Sequence, residues 1–154
     1  MIGRRTFIAG IGSAAAWPLM AGAQQGDRMR RISVLMSGVE NDSVYKARVS
    51  AFTQALADLG WTDGRNVRMD VRWGGADIDR IRTLAQELVG LQPDIIVING
   101  TPAGAVAVQR ETQTIPIVFA RVADPVASGI VARLDRPSGN VTGFATYEAS
   151  MGGK

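Results

Sequence analysis

The chain has 154 residues, of which 46% are hydrophobic and 20% charged, with no cysteine and no histidine. That composition excludes disulfides, removes the usual zinc and copper ligands and rules out any Ser-His or Cys-His catalytic couple; no metal and no other cofactor is expected. Basic residues outnumber acidic ones by 17 to 14, but they are dispersed among the acids apart from Arg28, Arg30 and Arg31, which leaves no continuous phosphate-tracking patch and no expectation of a nucleic-acid partner.

The first 23 residues read as an address. Gly10-Ile11-Gly12-Ser13-Ala14-Ala15 fits the G-x-G-x-x-A dinucleotide fingerprint, but that motif works only between a strand and a helix whose first amides face the phosphates. Here Arg4 and Arg5 form a basic start, an apolar stretch runs from Phe7 to about Met20, and Ala21-Gly22-Ala23 is a small-x-small cleavage signal. Residues 1–23 are therefore expected to be a signal peptide, and Arg4-Arg5-Thr6-Phe7-Ile8 is similar to a twin-arginine export signal. Gly10, Gly12 and Pro18 interrupt a stretch already short of the ~20 residues that span a bilayer. Cleavage would leave 131 residues with 15 basic and 14 acidic side chains, enough for one cored domain and too few for two.

After a flexible segment, 24–30, Ile32 to Met36 reads as a first strand. Val44 to Leu59 carries Val49, Phe52, Leu56 and Leu59 at helical spacing, with Asn41, Asp42 or Ser43 as N-cap and Gly60 as the stop. Val67 to Trp73 alternates apolar and charged residues as a half-exposed edge strand does, which makes Trp73 a packing residue like Trp61. Asp77 caps a second helix with Ile78, Ile81, Ala85 and Leu88 inward. Ile95 to Ile98 is continuous and β-branched, the pattern of a central parallel strand covered by helices on both faces. Thr101-Pro102 starts a helix to about Arg110, Pro116 to Ala120 forms a fourth strand, and Asp124-Pro125 starts a helix to about Leu134. Val141 to Phe144 supplies a fifth strand. Right-handed crossovers then give a doubly wound α/β fold, flavodoxin-like, with a parallel sheet ordered 2-1-3-4-5.

In such sheets ligands bind beyond the carboxyl ends of the strands. That rim comprises Ser37 and Gly38 after the first strand, Asn99 to Ala103 (with Asn99, Gly100, Thr101 and Ala103 as candidate contacts) after the third, and Arg121 to Pro125, including Asp124, after the fourth. Thr101 and the helix-start amides of Ala103 and Gly104 suit a carboxylate, or Thr101 only caps its helix. Asp124 pairs with a ligand ammonium or caps the following segment; Ser37 donates a hydroxyl or only turns the chain with Gly38. Arg121 either fixes an anion or is a solvated surface residue. No nucleophile has a general base beside it, and Asp77 with Asp79 is explained by the helix start, so catalysis is not expected. Asn99 stands where a phospho-accepting domain has aspartate.

Ile95 to Ala103 (IIVINGTPA), Ile115 to Phe119 (IPIVF), Asp124-Pro125-Val126 and Arg136 to Gly143 (RPSGNVTG) resemble the ABC transporter substrate-binding proteins related to the tryptophan/tyrosine-binding type, with a periplasmic-binding-protein type I fold. The resemblance implies an exported, periplasmic protein that captures a small solute such as an amino acid between two lobes closing by a hinge, and passes it to an ABC permease. No cysteine follows the leader to accept a lipid. Ser138 stands where the family often has glycine. The larger departure is length: residues 31–147 correspond to an N-terminal lobe and 148–154 to the start of a crossover, so a missing second lobe, a truncated product and an apolar surface prone to self-association are expected. A flavodoxin-like nucleotide-binding or regulatory domain, or a fragment without function, are the alternatives.

Overall fold

The computed structural model describes residues 28–136 and 139–146. The expected signal peptide (1–23), most of segment 24–30, Pro137-Ser138 and the expected crossover (148–154) lie outside the described residues. The elements are β1 (Arg30–Met36), α1 (Ser43–Asp58), β2 (Val67–Trp73), α2 (Ile78–Gly90), β3 (Ile95–Asn99), α3 (Pro102–Glu111), β4 (Ile117–Val122) and β5 (Val141–Ala145). All five strands pair in parallel in the order β2-β1-β3-β4-β5, the order expected of right-handed crossovers.

The helix starts follow from their caps. Asp42 accepts from the Val44 amide, and Asp77 accepts from those of Asp79 and Arg80, so each carboxylate uses first-turn donors that the helix leaves over. One face of the sheet packs α2 and α3: Leu35, Ile96, Ile98, Ile117 and Phe119 meet Ile81, Ala85 and Leu88 of α2 and Ala105 and Val108 of α3, all at most 3% exposed. Each large side chain buried there contributes about 1.5–3 kcal/mol. The other face packs only α1 among the described residues. Ile32, Val34 and Met36 meet Val49, Phe52 and Leu56, yet no residue of α1 is fully buried.

Four expectations are corrected. Ile95 and Val97 of the central strand are only half-buried, because α1 leaves an apolar trough of about 400 Å³ beside them, walled also by Val34, Val118, Ala120 and Phe144. No helix follows Asp124-Pro125: the chain makes a run of turns in which Ile130 and Val131 both donate to the Pro125 carbonyl, and Gly129 at φ 71° ends the first turn. Leu59 is the C-cap of α1 and 76% exposed, and Ile78 at the start of α2 is 55% exposed; helical spacing fixes a face, but an end residue projects past the sheet that the face covers. Arg30, assigned to the flexible segment, opens β1 because its guanidinium and the Arg31 amide both donate to Asp94, at 2.9 and 2.8 Å.

Candidate ligand-binding rim

Parallel strands end on one edge. β1, β3 and β4 are neighbours, each about 4.8 Å from the next, so Ser37 after β1, Asn99 to Ala103 at the end of β3, and Asp124 after β4 leave the sheet side by side. The junctions are tied by main-chain bonds: Ser37 donates to the Asn99 carbonyl at 3.0 Å, and Gly100 donates to the Ala120 carbonyl at 3.1 Å.

Ser37, Gly38 and Gly100 form one packed unit. Gly100 adopts φ 119°, and a Cβ built there would lie 1.7 Å from Ser37 Oγ, so both conformation and space require glycine. Gly38 has no positive φ; its requirement is space, since a Cβ would lie 2.2 Å from a ring carbon of Tyr45. Tyr45 Oη stands 3.5 Å from Ser37 Oγ, and the Arg48 guanidinium carbon lies 4.6 Å from the centre of the Tyr45 ring. Met36, Ser37, Asn99, Thr101 and Gly104 wall one seam with no room for a water molecule, which brings three of the expected hydroxyl and amide groups together.

Thr101 is the N-cap of α3, with Pro102 in the first turn, but its side chain makes no capping hydrogen bond and is exposed. The capping explanation for a hydroxyl at that position is thereby removed. Ala103 is half-buried in the same first turn, where Pro102 has no N–H, the Gly104 amide donates to the Thr101 carbonyl at 3.3 Å, and the Ala103 amide is left for an outside acceptor. Asn99 Oδ1 is buried without a hydrogen-bond partner, at the point where the rim meets the apolar trough. Asp124 does act as a cap: its Oδ1 accepts from the Ala127 amide at 3.0 Å, at φ 37°. Its second oxygen is on an exposed residue. Arg121, at φ 60°, sits exposed at the register shift between Ala120 and Val122.

Tyr45 and Arg48 were not legible as rim residues. Their three-residue spacing puts them on one face of α1 near its start, but the helix is recognised by its apolar positions, and neither residue counts among those. At the amino end of the sheet the charges pair instead. Arg31 Nε lies 2.6 Å from Asp70 Oδ2, and this guanidinium holds the Asp70 carboxyl below the usual carboxylate range. The Arg31 amide, aided by the Arg30 side chain, does the same for Asp94. These pairs fasten β1 to its neighbours, at the end away from the rim.

A parallel 2-1-3-4-5 sheet with a glycine-cleared carboxyl edge is a doubly wound ligand-binding lobe, an order shared by flavodoxin-like domains and periplasmic-binding-protein type I lobes. The chain belongs to the ABC transporter substrate binding protein family, whose pattern matches residues 31–151. It is 37% identical over 109 residues to a tyrosine-binding protein of Clostridioides difficile (strain R20291), covering 71% of this chain and 31% of that relative. Among solved structures it is similar to the ligand-free, open form of a Clostridium difficile substrate binding protein with adhesive properties (TM-score 0.70, 27% identity, 77% of this chain and 39% of that one). It is also similar to a conserved domain protein of Vibrio cholerae O1 biovar El Tor (TM-score 0.71, 28% identity, 77% and 39%). A Streptococcus pneumoniae ABC domain in complex with L-Trp gives a TM-score of 0.68 at 25% identity, covering 75% and 38%. The chain thus spans less than two-fifths of each of these relatives.

Proposed function

We propose that this chain is the N-terminal lobe of an exported solute-binding protein that serves an ABC importer, and that its solute is an amino acid of the tyrosine or tryptophan class. The observation that carries the reading is the family match over residues 31–151, together with relatives described as tyrosine-binding and as bound to L-Trp. The rim offers suitable chemistry. Thr101, with its hydroxyl uncommitted, and the first-turn amide of Ala103 would take the carboxylate, supported by the α3 dipole. Asp124 would take the ammonium with the oxygen not used for capping, and Ser37, Gly38, Asn99 and Gly100 would line the floor.

Arg4, Arg5 and the apolar stretch to Met20 support export through a cleaved leader, and a periplasmic location follows from that reading. The permease would be the membrane partner. A second lobe would cover what this one leaves open, including the trough beside α1 and Phe144, which is 75% exposed; without it, the chain self-associates through that surface.

The test is a thermal-shift series on the full chain with L-tyrosine, L-tryptophan, L-alanine, AMP and FMN at millimolar concentration. A rise in Tm with the aromatic amino acids alone supports the proposal through ligand linkage. A rise with AMP or FMN and none with amino acids contradicts it and favours a nucleotide-binding domain.

A further inference from the structure

We infer that Tyr45 is a ligand-contacting residue of this rim, its hydroxyl joining that of Ser37 on the floor to contact the solute's carboxylate from the side opposite Thr101 and the Ala103 amide. The inference rests on the amino-acid reading above. Gly100 and Gly38 clear space on either side of Ser37: a Cβ on the first would meet Ser37 Oγ, and one on the second would meet the Tyr45 ring. The cleared space lets the Tyr45 ring lie against the β1 loop and brings its Oη to 3.5 Å from Ser37 Oγ. That distance is at the outer limit for two hydroxyls, where 2.7–2.8 Å is usual. Ser37 Oγ donates to Tyr45 Oη only weakly at that distance, so the Ser37 proton turns readily to a better acceptor while the Tyr45 proton is not used in the pair, and a carboxylate oxygen beside both is such an acceptor.

Packing does not account for the hydroxyl. The ring joins the cluster around Ile32, Val34 and Met36, a role that phenylalanine would fill, whereas Oη stands at the exit of β1 beside the seam shared by Ser37, Asn99 and Thr101. Arg48, stacked on the ring, holds it in place.

The experiment is a titration of the ¹⁵N-labelled full chain and its Tyr45→Phe variant, followed by amide shifts, with L-tryptophan and L-tryptophanamide as ligands. Phenylalanine keeps the ring over Gly38, and well-dispersed spectra verify the fold. The wild type should prefer L-tryptophan to the amide; Tyr45→Phe should weaken L-tryptophan binding about ten- to a hundredfold, as loss of one hydrogen bond to a charged group does, and narrow that preference. Ser37→Ala should narrow it similarly. Rim shifts in the wild type with Kd and preference unchanged in Tyr45→Phe would overturn the Tyr45 inference and leave the proposed function standing. Absence of rim shifts in the wild type with either ligand would overturn both.

Discussion

Gly100 illustrates how far single residues were legible. Asn99-Gly100-Thr101-Pro102 announces a turn into a helix, and the structure has one. That glycine is demanded by a serine 63 positions earlier could not be read, because Ser37 and Gly100 meet only once β1 and β3 pair. Gly100→Ala places a Cβ on Ser37 at a φ that L residues avoid, and should cost at least ~2 kcal/mol in urea unfolding. Asp70 gives a second prediction. Its alternating position in β2 reads as solvent-facing, yet it is only 9% exposed because Arg31 reaches it across the β1–β2 ladder. Its folded pKa lies below the unfolded value of 3.8, so the unfolded state binds the proton more readily. The pair therefore contributes fully above that value, and its contribution falls away as pH drops through the folded pKa. Asp70→Asn should cost about 1–3 kcal/mol at pH 7, and the gap to the wild type should narrow as unfolding is measured at successively lower pH below 3.8.

Elements were legible where caps and periodicity agreed. Asp77 followed by Ile81, Ala85 and Leu88 gives α2 both a start and a buried face. The Asp124-Pro125 start is equally well formed as a signal, and Ala127, Ile130, Val131 and Leu134 even keep helical spacing after it, but Gly129 at φ 71° breaks the first turn. Asn140 is legible only as part of the Arg136 to Gly143 stretch; in the structure its Nδ2 donates to the Ile115 carbonyl at 2.7 Å and locks the entry to β4. The two faces also differ in strength. Leu88→Ala, in the sealed layer, should cost about 2–5 kcal/mol, whereas Phe52→Ala on the half-buried face of α1 should cost clearly less. Hydrogen exchange should show α1 amides opening before those of α2, since local stability follows buried contacts.

At the scale of the whole molecule, strand order was legible because alternating strands and helices with right-handed crossovers leave few arrangements, of which the half-exposed, alternating pattern of β2 suits the one that puts it at an edge. The uncovered half of the α1 face did not, because a continuous run such as Ile95 to Ile98 shows that both sides are apolar without saying what covers each. The trough and Phe144 are the physical form of that gap. Phe144→Ser should shift sedimentation of the chain toward the monomer, while unfolding stays within ~1 kcal/mol because the ring is mostly in solvent. The central claim, that the carboxyl edge of β1, β3 and β4 receives an amino acid, is tested most directly by mapping amide shifts of the ¹⁵N-labelled chain on adding L-tyrosine. The account predicts saturable shifts concentrated at Ser37, Gly38, Gly100, Thr101, Ala103 and Asp124. Shifts confined to Val97, Val118 and Phe144 around the trough, or none at the edge, would contradict it.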